Sequence, residues 1–156
     1  MPIECGVYSW SYAGGNFPVC LRPLNVFYCP QYAASKSSWT ENDGTLSIEW
    51  GRYGSYDLTV KEDNSLEGSV RGDPSKWRKM AFLRPFSAEE TLLNGDGGGS
   101  AWNFEWSGGA FEVEFRTDSL NHFVCPSFPE HSHWTMDDEN KITIDWGKYG
   151  IFDFNI

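Results

Sequence analysis

At 156 residues the chain is long enough to bury roughly 70% of the surface its unfolded form exposes, so one domain with a real core needs no disulfide framework. Aromatic side chains make up 17% of it and glycine occupies sixteen positions, a mixture of flat bulky groups and turn formers that favours strands over helices. The net charge of −10 repels phosphate backbones and argues against a nucleic-acid partner. That charge is uneven: residues 1–95 carry eleven acidic and nine basic side chains, residues 96–156 eleven acidic and three basic.

The chain opens on MPIECGVYSW, which has neither a basic n-region nor an apolar h-region. The longest uncharged run, Cys5 to Leu21, is broken by Gly, Asn, Ser and Pro, so no membrane span is expected. Cys5, Cys20, Cys29 and Cys125 form no C-x-x-C pair and are read as reduced thiols, which suits a cytoplasmic protein. Gly14-Gly15 then turns one strand into the next, GGNFPVCLR.

From Leu24 onward the chain carries a segment that returns about 96 residues later. LNVFYCPQYAASKSSWTENDGTLSIEWGRYGSYDLTV reappears from Leu120 as LNHFVCPSFPEHSHWTMDDENKITIDWGKYGIFDFNI, with fourteen identical positions. The likeness extends upstream, GGNFPVCLR matching GGAFEVEFR, and it marks an internal duplication, 1–93 and 101–156. Period-two alternation runs through both copies. Phe111, Val113 and Phe115 share one face with Glu112 and Glu114 opposite; Ile142, Ile144 and Trp146 do the same, and Phe152, Phe154 and Ile156 continue the inward row. The motif W-G-[RK]-Y-G, at 50–54 and 146–150, reads as a tight hairpin with aromatic plugs, leaving the preceding Glu49 and Asp145 pointing outward.

The first copy carries an extra stretch, 61–93. Within it Arg71, Lys76, Arg78, Lys79 and Arg84 form a basic run, an anion patch or a partner for the acidic half, and Arg71-Gly-Asp73 before Pro74 reads as a turn. Ser87-Ala-Glu-Glu90 fits a capping box and starts the one expected helix, which Asn94-Gly95 ends. NGDGGGS at 94–100 has the composition of a flexible linker. These elements predict an all-β fold: a single domain over 1–156, a closed antiparallel β-barrel of about ten to twelve strands in which two half-barrels cover each other's edges, with one short helix.

Size, antiparallel meander, glycine-aromatic turns and the stretch LEGSVRGDPSKWRKMAFLRP, an L-x-G strand before a Trp-Arg-Lys strand, make the chain resemble the calycins, the superfamily of lipocalins and fatty-acid-binding proteins. It departs from lipocalins where their G-x-W stands, having Gly6-Val-Tyr-Ser-Trp10, and in its duplication; no family residue is carried over. The resemblance implies a non-enzymatic binder of a small hydrophobic or amphipathic ligand.

PEHSHW, 129–134, is where the two copies differ most tellingly. Trp134 has a counterpart in Trp39 and belongs to the scaffold, whereas His131 and His133 have no histidine counterparts. In an extended segment the two imidazoles project to one side, a workable pair of metal ligands that lacks a third. Nothing in the sequence brings His122 or a carboxylate to them. The expectation is therefore a loop without metal or cofactor, with Trp39, Trp50, Trp134 and Trp146 near the lumen or its mouth and His131 and His133 orienting a ligand's polar end. Two other readings stay open: a carbohydrate-binding module stacking sugars on surface Trp and Tyr, and a small hydrolase or isomerase using His131 or His133 as base.

Overall fold

The computed structural model of the protein describes residues 3–156; Met1 and Pro2, the first two residues of the stretch read above for a leader, lie outside the described residues. The chain divides into two compact units, one ending at Phe86 and one spanning Ser87–Ile156. Each of the two similar segments thus lies in a sheet of its own.

The first unit runs β1 (Gly6–Tyr12), β2 (Gly15–Arg22), β3 (Val26–Tyr28), β4 (Ser38–Asn42), β5 (Thr45–Glu49), β6 (Ser55–Val60), β7 (Leu66–Val70) and β8 (Asp73–Arg84). Each strand pairs antiparallel with the next, and β8 also pairs with β1, from Val7↔Arg84 to Ser11↔Lys79, which closes an eight-stranded barrel. Twelve residues of β8 are enough to serve both neighbours, with register shifts at each seam. An eight-stranded barrel is just wide enough to be filled by side chains. Here Trp10, Val19, Leu21, Phe27, Leu46, Ile48, Leu58, Leu66 and Met80 fill it, all buried, so the middle of the lumen is packed. Gly68 faces inward opposite Leu58, where β6 and β7 approach so closely that a Cβ would sit 1.9 Å from the Asp57 carbonyl oxygen.

The second unit holds α1 (Ala88–Asn94) and β9 (Gly99–Trp106), β10 (Gly109–Arg116), β11 (His122–Val124), β12 (Ser132–Met136), β13 (Lys141–Asp145) and β14 (Ile151–Asn155), in the spatial order β14-β13-β12-β11-β10-β9. The helix begins as the capping box requires, Ser87 accepting from the Glu90 amide and Glu90 from the Ser87 amide. Its Leu93 is buried with Val113, Phe115, Phe123, Trp134, Ile142, Ile144 and Trp146. This sheet is an open half-barrel.

The fold class stands as expected, all-β with a closed antiparallel barrel and one short helix, but the strand count does not. Eight strands close the barrel, and they close it inside the first copy, because the extra stretch after Val60 supplies β7 and β8 as the two closing strands. The second copy has the six strands equivalent to β1–β6 without a matching pair. Phe152, Phe154 and Ile156, expected inside, are accordingly each more than a third exposed, whereas Ile144 and Trp146 are buried as expected. The 94–100 stretch is a structured turn as well as a connection: Gly95 caps the helix and Gly99 already pairs with Arg116.

Several residues identical in the two copies make equivalent bonds. Trp50 and Trp146 each donate an indole N–H across eighteen residues, to the carbonyls of Tyr32 (2.9 Å) and Phe128 (3.1 Å). Trp39 and Trp134 likewise donate to Arg22 and Arg116. The W-G-[RK]-Y-G turns are single 3-10 turns closed by Gly54 N–H to Gly51 and Gly150 N–H to Gly147, with φ of 56° at Gly51 and 58° at Gly147, a left-handed conformation that favours glycine. No disulfide joins the four cysteines; Cys29 and Cys125, at equivalent places, are buried, and burial pushes the Cys29 thiol up, so it is a packing residue and no ready nucleophile. No helix among the described residues is long and apolar enough to cross a membrane.

The basic run is largely committed to the barrel wall. Arg71 bridges Asp57 (2.8 Å) and Glu49 (2.8 Å), and Lys79 lies 3.7 Å from Glu67. Glu49 is held below its usual range by Ser55 and Arg71, and Asp57 by Arg71 and Ser47. Carboxylates depressed in the folded state stabilise it above their unfolded pKa, about 4, and cease to do so as pH falls through the lower folded value. Arg71→Met is therefore expected to lower Tm near neutral pH and to differ less from wild type with each step below about pH 4, until the two melting curves meet in strong acid. Thermal scans from pH 7 to pH 2 check this, and a gap that widens on acidification contradicts it. Barrel closure sets a second expectation. Leu58→Ala, at a fully buried site, should cost about 2–5 kcal/mol in urea unfolding, and Phe154→Ala, its 40% exposed counterpart, at most about 2 kcal/mol.

Candidate functional site

Although the middle of the barrel is packed, its two ends are not. At one end Ile3, Glu4, Tyr8, Val60, Asn64, Leu66 and Phe82 surround a cavity of about 270 Å³. At the other, Trp10, Tyr12, Phe17, Tyr32, Trp50, Tyr53, Tyr56 and Arg78 surround one of about 250 Å³. The second is almost wholly aromatic. Its most buried members, Trp10 and Trp50, meet edge to face at 5.1 Å, and Trp10 meets Tyr56 at 5.0 Å. Phe17, Tyr32 and Tyr53 continue the wall, with centroids 5.0 Å and 5.7 Å apart in succession.

Local sequence explains most of this mouth. Period-two alternation carries the inner row of β1 from Trp10 to Tyr12, and that of β2 back from Leu21 and Val19 to Phe17. Tyr32 comes from the β3–β4 loop and is held over the opening because its carbonyl accepts the Trp50 indole N–H. Arg78 stands two residues before the inward Met80 and so faces the same side; its guanidinium lies 5.4 Å from the Tyr56 ring and 5.5 Å from the Tyr12 ring. One of its N–H groups donates to the Trp77 carbonyl at 2.8 Å. The mouth thus combines flat aromatic walls with the Arg78 cation in its lining, and Arg52 donates to the hydroxyl of Tyr53 at 3.0 Å.

The residues expected from the sequence divide between two places. Trp50 lines the mouth. Trp39 packs partly buried against the same core, while Trp134 and Trp146 are buried in the second unit and serve its packing. His131 and His133 belong to the second unit, on the outer face of its sheet, so the mouth is built without them. There they are joined by His122, because β11 and β12 pair His122 directly with His133.

One ring nitrogen from each of the three histidines lies within 4.8 Å of the other two. Ring centroids are 4.9 Å apart for His122 and His133, 4.7 Å for His131 and His133, and 5.8 Å for His122 and His131. His122 Nδ1 faces Asp118 Oδ2 in a short contact, and the Asp118 carboxylate also accepts the amide N–H groups of His122 (3.0 Å) and Leu120 (3.3 Å). Burial raises the Asp118 pKa, but the His122 ring and amide outweigh it and hold the group below its ordinary value. His133 is pushed down by burial and by the neighbouring His122 and His131, partly offset by Asp118 and Asp145.

Sequence reading missed Trp10, Tyr12, Phe17, Tyr32, Tyr53, Tyr56 and Arg78 as a set. Alternation from Trp10, Val19 and Met80 contained the signal for Tyr12, Phe17 and Arg78; that for Tyr32 exists only in the fold. The chain matches no protein-family model, no curated protein and no solved structure, so a functional reading rests on the geometry alone.

Proposed function

We propose that the protein is a non-enzymatic binding protein of calycin-like architecture, taking a small, flat, apolar molecule with an anionic end into the aromatic mouth of its eight-stranded barrel. The observation that carries this reading is the pairing of a cavity walled by Trp10, Tyr12, Phe17, Tyr32, Trp50, Tyr53 and Tyr56 with the Arg78 guanidinium at the tyrosines. Apolar pockets finished by a few polar groups are the usual form of small-molecule sites. An apolar cavity of about 150 Å³ accommodates benzene, so about 250 Å³ leaves room for a fused ring pair or a ring with a short tail.

Charge selects the ligand's polar end. A guanidinium carries five N–H donors in a planar fork, and the bond to Trp77 occupies only part of it, so a carboxylate fits the remainder in a charge-assisted pair. A cationic ligand would meet repulsion at Arg78. Desolvated aromatic faces do the rest, through stacking and area burial. Arg78 is the cation that lines this opening, and it orients an anion.

The test uses 2-naphthoate and its neutral methyl ester, followed by quenching of tryptophan emission, since Trp10 and Trp50 line the site. Saturable quenching is expected for both, stronger for the acid, and Arg78→Gln should weaken the acid by about tenfold while leaving the ester nearly unchanged. Tyr32→Ala should weaken both. Absence of quenching by either probe, or an Arg78→Gln variant that binds the acid as well as wild type, contradicts the proposal.

A further inference from the structure

The geometry points to a second, separate site: His122, His131 and His133 together hold one divalent transition-metal ion, best suited to zinc, on the outer face of the second unit's sheet. Three imidazole nitrogens with a fourth position left to water is an established donor set for zinc, which prefers four-coordinate tetrahedral geometry. Metal–nitrogen bonds of about 2.0–2.1 Å separate tetrahedral ligand atoms by about 3.4 Å. The three ring nitrogens, already within 4.8 Å of one another, reach that by small ring rotations, and two of the rings ride on paired strands.

What surrounds the rings supports a cation. A proton on Nδ1 of His122, donated to Asp118, leaves the Nε2 lone pair as that ring's metal-ligating group; a carboxylate behind a ligating imidazole is the usual second partner in zinc sites. Asp145, opposite His133 in the strand register, adds a further negative charge at close range. His131 is exposed and His122 and His133 half-buried, so an ion and its water have access from solvent.

The pseudo-symmetric position in the first unit supplies a control within the same molecule. The pair equivalent to His122↔His133 is Val26↔Ser38, in the same antiparallel register, and Lys36 stands where His131 does. The scaffold needs no histidine at these positions, since the first copy folds the same strands without them. Three histidines gathered where the scaffold asks for none require a separate reason, and metal binding supplies it.

The experiment uses the full chain stripped with EDTA, titrated with Zn(II) by calorimetry and with Co(II) by visible absorption. One Zn(II) per chain is expected, and Co(II) should give the intense bands of a four-coordinate site. His122→Asn, His131→Asn and His133→Asn should each weaken Zn(II) by about a hundredfold, and Asp118→Asn by about tenfold to a hundredfold. Cys5→Ser should change nothing, which removes the exposed thiol as an alternative ligand. Circular dichroism of each apo variant checks folding; His131, exposed in a loop, decides the matter if either strand variant unfolds. No Zn(II) heat, a weak six-coordinate Co(II) spectrum, binding that survives His131→Asn, or binding lost in Cys5→Ser overturns the site.

Discussion

Both units depend on one hydrogen bond from a buried tryptophan, Trp50 or Trp146, to a backbone carbonyl eighteen residues earlier. The tryptophan sits at the end of β5 or β13, just before the left-handed glycine of the 3-10 turn, and the carbonyl belongs to the long loop between β3 and β4 or between β11 and β12. An indole N–H left unpaired in a core costs on the order of 1–3 kcal/mol, so the loop is drawn in to satisfy it. The ring meanwhile packs against Phe27 and Trp10 in one unit, Phe123 and Phe104 in the other. The loop is therefore tied to the core at its middle, not only at its ends.

That tether positions chemistry in both copies. In the first it places Tyr32 against Phe17 and Tyr53 and so forms one wall of the aromatic mouth. In the second the bond to Phe128 holds the loop that delivers Glu130 and His131, with His131 coming to rest beside His133. One constraint, applied to two diverged loops, gives an apolar lining in one place and an imidazole in the other.

Much of this was readable in the residues and some was not. The duplication, the W-G-[RK]-Y-G turns, the helix start at Ser87 and the inward rows containing Val113, Ile142 and Ile144 follow from identity, glycine placement, a capping box and period two, all of which are read along the chain itself. Closure is not local. That β8 pairs with β1 depends on a contact between residues some seventy positions apart, and alternation is the same whether a strand is an edge or a seam. For the same reason Phe152 and Phe154 read as inward and stand partly exposed: their alternation is right, but the strands that cover the matching row of β6 have no counterpart in the second copy. His122 was visible as a residue but not as a neighbour, since only the β11–β12 register sets it beside His133.

The two copies show how a duplicated scaffold separates what holds it together from what it does. Positions identical in both, such as Trp39 and Trp134, Asn25 and Asn121, or Asp57 and Asp153, carry the same indole bond, the same left-handed backbone or the same hydroxyl contact. Positions that differ lie where that network makes no demand: the outer-face pair Val26↔Ser38 against His122↔His133, and the closing strand bearing Arg78, present once. A side chain on the outer face can change without disturbing the packed row behind it, because neighbours in a strand face opposite ways. Phe123 stays buried whatever stands at 122. The fold thus leaves the outer face of β11 and β12 free to acquire ligands, while the inner face, filled in one copy and half-covered in the other, remains bound to packing.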